Sequence, residues 1–196
     1  MNKFKLVTFF VIFSLVIGTG CSNSSSSRVD LDRVLQIMAA TLTSVEKQAL
    51  GFSKDEIMTV FEQEFHQDIN KARPKLHPQT IGVKLQNDAS VIGYNDKNSN
   101  AIQDGGEKLL FKVEIDQEGG RLLASEGQQV REHRGASGFF MGYLMASMIG
   151  RQRSAGVRPN SFKNRTVTPK TTSTSTSKKS NSAKSRSKSG SYSRGK

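Results

Sequence analysis

The side chains best placed to do chemistry are Asp96, Asn98, Asn100, Asp104 and Glu107. They stand at positions 1, 3, 5, 9 and 12 of the stretch Asp96-Lys97-Asn98-Ser99-Asn100-Ala101-Ile102-Gln103-Asp104-Gly105-Gly106-Glu107. Carboxylate and amide oxygens at that spacing let a short loop wrap a hard cation such as Ca²⁺. Asp96, Asn98, Asn100 and Asp104 are then expected to supply side-chain oxygens, directly or through water. Ile102 would add a backbone carbonyl, and Glu107 is the natural bidentate ligand. Three carboxylates and two amides predict weak binding, about 10⁻⁴ to 10⁻³ M. The same composition also suits a polar Asn/Asp/Gly turn with no metal, so the sequence leaves both readings open.

The twelve residues resemble the EF-hand loop, and also the D-x-N-x-N-G-x-x-D-x-G-E loop of many bacterial surface proteins, in which the loop joins strands. Two positions depart from those patterns. Ala101 stands where Gly is expected, and a left-handed backbone there costs about 1 kcal/mol for a residue with a Cβ. Gln103 replaces the apolar residue usual in EF-hands, with Ile102 as its neighbour.

Other titratable residues point to no reaction. Glu62 and His66 share a helix face at i, i+4 and read as a solvated polar face, since two such groups make neither a closed metal site nor an activated nucleophile. His77 and His133 have no partners in sequence. No Gly-rich phosphate loop follows a strand, and no Ser sits in a nucleophile elbow, so no enzyme is expected.

An α+β domain over 29–126 is expected to position the loop. Leu31, Val34, Leu35, Met38, Leu42 and Val45 form one helical stripe from an Asp30 cap to a Gly51 stop. Ser53-Lys54-Asp55-Glu56 is a capping box that opens a second helix with Met58, Phe61, Phe65, Ile69 and Ala72 on its apolar face, ended by Pro74. The period then changes to two. Strands are predicted around Ile81–Leu85, Ser90–Tyr94, Lys108–Asp116 and Arg121–Ser125, giving a four-stranded antiparallel meander with one face on the helical hairpin.

Residues 127–150 are expected to be a charged surface linker followed by an apolar helix. Gly138, Gly142, Ala146 and Gly150 recur every fourth position there, a small-xxx-small ridge suited to self-association. The ridge resembles the glycine zipper of some envelope proteins. At ~1.5 Å per residue, 136–150 would be only about 22 Å long, short of a ~30 Å hydrocarbon core. Burial against the domain or a partner helix, interfacial contact and spanning all remain open.

The two ends differ from the domain. The chain of 196 residues has a net charge of +12, but thirteen Lys or Arg and no acid lie in 151–196, whereas 22–150 holds fourteen basic and seventeen acidic residues. The basic character therefore belongs to the tail, which is too polar to pack and is expected to be disordered. It could contact anionic envelope polymers, lipid or DNA. The Gly/Met-rich helix with the Ser/Thr/Lys/Arg-rich tail is similar to the C-terminal part of YgiB-type envelope proteins, a likeness that implies no activity.

At the other end, Lys3 and Lys5, the apolar run Leu6 to Ile17 and Gly18-Thr19-Gly20 have the organisation of a signal peptide, 1–20. Cys21 is the only cysteine, which excludes an internal disulfide and multi-cysteine zinc sites. Ile17-Gly18-Thr19-Gly20-Cys21 resembles a bacterial lipoprotein signal, although Gly18 stands where Leu is typical. The resemblance implies lipidation at Cys21, a membrane anchor and, with Ser22 following, the outer membrane. Residues 21–28 then read as a Ser-rich tether. The expected protein is a lipid-anchored envelope protein whose small binding or structural domain carries a weak structural Ca²⁺ loop. The alternative is a polyanion- or membrane-contact protein acting through the apolar helix and tail.

Overall fold

The computed structural model describes residues 28–135 and 142–170. Cys21, the signal segment, Gly138 and the tail beyond Lys170 lie outside the described residues. Helix α1, Leu31–Lys47, begins where the Asp30 carboxylate accepts the backbone N–H groups of Asp32 and Arg33, satisfying two of the amides that the first turn leaves unpaired. Its predicted stripe is buried throughout. Gly51 takes φ +97, but it sits in the turn beyond the helix, because Gln48 already ends α1.

Helix α2, Lys54–Lys71, starts with the capping box, Ser53 and Glu56 each satisfying the other's backbone amide. Phe61 and Phe65 stack one turn apart with ring centroids 5.8 Å from each other, fully buried between α1 and the sheet. Asn70 fixes the helix to the first strand by donating to Ile81 O and accepting from Ile81 N.

The sheet has five strands where the sequence pattern predicts four. In order they are β1, Thr80–Leu85; β2, Val91–Asp96; β3, Leu109–Asp116; β4, Arg121–Glu126; and β5, Gln129–Arg134, each antiparallel to the next. The added strand falls in the expected surface linker. Gly127, at φ +57, makes the tight turn between the paired residues Glu126 and Gln129. Charge hides this strand from the pattern: Arg131 pairs with Asp32 and Glu132 with Arg121, so polar residues do the packing that apolar ones usually do.

Helix α3, Tyr143–Ser154, covers part of the expected apolar helix and runs on past Gly150. It has no side-chain cap of its own. Glu46 of α1 replaces one, accepting Tyr143 N at 2.6 Å and Leu144 N at 2.8 Å. Leu144, Met145, Met148 and Ile149 join the core formed by α1, α2 and one sheet face. Buried Gln152 donates to Ile115 O at 3.0 Å. Of the ridge residues, Ala146 and Gly150 are exposed, whereas Gly142 is the N-cap and lies against the Glu46 carboxylate. Among the described residues no helix is long and apolar enough to cross a membrane.

Residues 155–170 correct the expectation that structure ends at Arg151. They form a strap over the second face of the sheet: Phe162 O accepts from Arg121, Arg165 pairs with Glu114 at 2.5 Å, and Thr168 N donates to Val130 O at the β5 edge. Polar and charged contacts hold this strap, which is why its low apolar content suggests disorder. The domain therefore extends well beyond Glu126.

Candidate functional site: the β2–β3 loop

The loop leaves the sheet at Asp96, the last residue of β2 and only 1% exposed. Its Oδ1 accepts Asn100 N at 3.2 Å and its Oδ2 accepts Ala101 N at 2.9 Å. Two further side-chain turns continue the curl, with Asn98 Oδ1 accepting Asn100 N and Asn100 Oδ1 accepting Ile102 N. Such Asx turns are what Asn and Asp favour in irregular backbone. Ser99 and Ala101 both take the left-handed conformation, at φ +57 and +58. Ala101 therefore does adopt the glycine-like geometry, and its N–H bond to buried Asp96 offsets part of the strain.

On the far side, Asp104 Oδ2 receives the amide nitrogens of Asn98 at 2.8 Å and Asn100 at 3.1 Å. Asp96, Asn98, Asn100 and Asp104 thus share one hydrogen-bonded ring. Glu107 lies apart from it. Its Oε1 accepts Lys97 N and its Oε2 accepts Asp104 N, so it ties both limbs of the loop together through the backbone. Ile102 is 63% exposed, its N–H spent on Asn100.

All six expected ligand residues therefore bond to one another or to loop backbone, Ile102 through its N–H, but the carboxylates do not converge. Among the described residues no group of three His, Cys, Asp or Glu stands close enough to hold a metal. The chemistry of the donor set still fits a weak hard-cation site. Asn98 and Asn100 present nitrogen to Asp104, while the oxygen of each accepts one loop N–H and keeps a second lone pair that a cation could use.

Beneath the loop lies a residue that the spacing of the loop itself does not single out. Tyr94 is fully buried, and its hydroxyl has no hydrogen-bond partner. Burial, and then the negative charges of Asp96, Glu107, Glu62 and Asp104, push its phenol up to about 12. Its ring lies on Gly82 of the paired strand, where any Cβ would overlap it, and Phe111 covers Gly93 in the same way. The alternation of glycine with aromatic partners across β1–β3 was the available signal.

The expectation of a solvated Glu62–His66 face also needs correction. Both residues are half-buried, His66 Nε2 is buried without a partner, and desolvation raises the Glu62 pKa above its ordinary value. His77 Nδ1 accepts the nearby Gln79 N.

A second polar centre, on the strap side of the sheet, is built from Asp116, Arg121 and Glu132. Arg121 Nε meets Asp116 Oδ2 at 2.7 Å, and its Nη1 meets Glu132 Oε2 at 2.6 Å. The hydrogen bond from Arg121 holds the Glu132 carboxyl below its ordinary value, and the same bond raises the Arg121 pKa. Gly119 N adds a donor to Asp116, so every member of this cluster is partnered. It is a structural cross-brace rather than a reactive site. Set against protein-family models, curated proteins and solved structures, the chain matches none of them.

Proposed function

We propose that this is a lipid-anchored envelope protein, not an enzyme, whose α+β domain is a small binding or structural module stapled by a weak Ca²⁺ loop at 96–107. One observation carries the loop assignment. The backbone of Asp96–Ile102 is already curled by Asx turns around Asp96, with Ala101 left-handed where cation loops of this spacing place glycine. A cation between Asp104 and the two Asn side chains would replace the amide hydrogens that now satisfy Asp104. Because the loop joins β2 to β3, filling it would stiffen a hairpin rather than open a switch.

The test is a thermal melt and calorimetric titration with millimolar Ca²⁺ against Mg²⁺. The wild type should gain stability in Ca²⁺, and Asp104→Asn with Glu107→Gln should abolish that gain. An equal response in the double variant would sink the assignment. The anchor reading is tested separately, by the mass of the mature N-terminus: a lipid on Cys21 is expected, and an unmodified or uncleaved chain would end it.

The rival reading is contact with polyanions or membranes through the apolar helix and tail, although Leu144, Met145, Met148 and Ile149 of α3 are already spent on the core. The tail beyond Lys170 remains available to it. Truncation after Lys170 tests it cleanly, whereas truncation at Arg151 would also remove the buried Gln152 and the strap. Loss of salt-dependent liposome or DNA binding in the shorter chain would favour the rival.

A further inference from the structure

Two adjoining hollows open at the end of the sheet where β2 and β4 finish. They measure about 780 and 520 Å³, and both are lined by Arg28, Lys108 and Glu126. This is the size range of small-ligand sites. The groups around it are available in two opposite senses. Arg28 and Lys108 are exposed cations at a common wall, and neither pairs with a carboxylate among the described residues. Across from them, Glu126 Oε2 and Asn95 Oδ1 are buried acceptors without a donor. A buried acceptor left unmade costs about 1–3 kcal/mol, more when charged. Both oxygens end broad sp³–sp² torsions, so each can turn toward a donor entering the cleft with little strain.

We propose that this cleft binds a phosphate–ammonium zwitterion, the headgroup of an ethanolamine phospholipid. Arg28 and Lys108 take the phosphate, one as a planar fork and one as a compact charge. Glu126 and Asn95 take the N–H groups of the ammonium. A quaternary ammonium has no N–H to give them, so a choline headgroup should be rejected.

The lipid source rests on the anchor reading above. Cys21 is seven residues before Arg28, and seven residues span at most about 25 Å. A lipid on Cys21 would therefore keep the cleft within that distance of the bilayer surface. Pro169 lines the larger hollow, so the described strap ends beside it with the cation Lys170, which an anionic surface would attract. The smaller hollow between α1 and α3 is a poorer candidate. At about 190 Å³ it is mainly apolar, and the oxygens of its one carboxylate, Glu46, already cap α3.

The experiment titrates the full chain carrying Cys21→Ser with soluble glycerophosphoethanolamine and glycerophosphocholine, followed by calorimetry or amide NMR shifts. The ethanolamine compound should bind about tenfold more tightly. Glu126→Gln should lower its affinity while leaving the choline compound unchanged, so the ratio falls toward one. Arg28→Ala with Lys108→Ala should weaken both, with the unfolding midpoint of each variant near wild type as the control for folding. No binding at millimolar ligand, or equal binding of the two headgroups, would overturn the site.

Vesicles of ethanolamine or choline lipid with the same anionic content supply the second arm. Preference for ethanolamine vesicles supports a lipid source, and binding of the soluble headgroup alone overturns it. Because this chain carries no lipid, its headgroup titration is independent of the mass test on Cys21, and the two readings can fail separately.

Discussion

The two faces of the sheet are closed by different physics. One face presents Val91, Phe111, Val113, Ile115, Leu122 and Ala124 to α1, α2 and α3, and all are buried in a single apolar core. The other sets Lys112, Glu114, Asp116, Arg121 and Glu132 around buried Leu123, and is closed by ion pairs and a strap of sixteen residues, 155–170. The apolar face is held by area removed from water, which tolerates small shifts. The charged face is held by directional pairs, each of which leaves a partner stranded if broken. The loop at 96–107 and the proposed cleft both lie at one end of this sheet, so their geometry depends on both kinds of closure.

Breaking each face once gives the largest effects. Phe61→Ala removes a fully buried ring from the apolar side and should cost about 3–5 kcal/mol in denaturant unfolding. Arg121→Ala should cost a similar amount, about 3–5 kcal/mol, because it strands the carboxylate of Asp116, which is 0% exposed. The two losses differ in kind. Replacing Asp116, Arg121 and Glu132 together by apolar residues of similar size should recover much of the second, whereas no second change of charge should rescue Phe61→Ala. If Arg121→Ala proves as mild as a surface substitution, the contrast between the faces collapses.

Proton linkage sharpens the comparison on the acid side. Glu132 is held below its ordinary 4.5 chiefly by the Arg121 hydrogen bond. A carboxylate depressed in the folded state contributes stability that is fully present above its unfolded value and is lost as pH falls through the folded value. Wild type should therefore lose stability below about pH 4.5, and Arg121→Ala should flatten that slope in acid unfolding curves.

Tyr94 gives the alkaline counterpart, with the opposite sign. Its phenol is raised in the folded state to about 12, so the stability tied to the neutral form is complete below about pH 10 and is lost as pH rises toward 12. Tyr94→Phe should remove this loss. Near neutral pH it should be close to neutral, since the hydroxyl it deletes has no partner. Absorbance of the tyrosinate band and chemical unfolding at pH 9 and 11 would check both halves.

The smallest expected effect lies in the loop. Ala101→Gly should stabilise the protein by about 1 kcal/mol or slightly less, because it relieves the Cβ strain at φ +58. If the Ca²⁺ assignment holds, the same change should tighten binding. A destabilised variant would mean that Ala101 sits there without strain.

Local patterns made much of this molecule legible. The Asp30 cap, the Ser53–Glu56 capping box and the apolar stripes of α1 and α2 follow from interactions within a few residues, and they occur as the sequence implies. The alternation of Phe111, Val113 and Ile115 with Lys112, Glu114 and Asp116 likewise marked β3. The curl of the loop was readable because Asx turns need only neighbours two to five residues away.

Tertiary structure alone decided the rest, since it depends on pairings between residues far apart in the chain. Strand β5 is stable because Arg121 and Asp32 receive its charges. Helix α3 begins where Glu46, nearly a hundred residues earlier, supplies its cap. The strap is ordered by Glu114, Arg121 and Val130 rather than by apolar content of its own. Composition can report how much surface a segment is able to bury, but it cannot report which distant charge will be waiting for it.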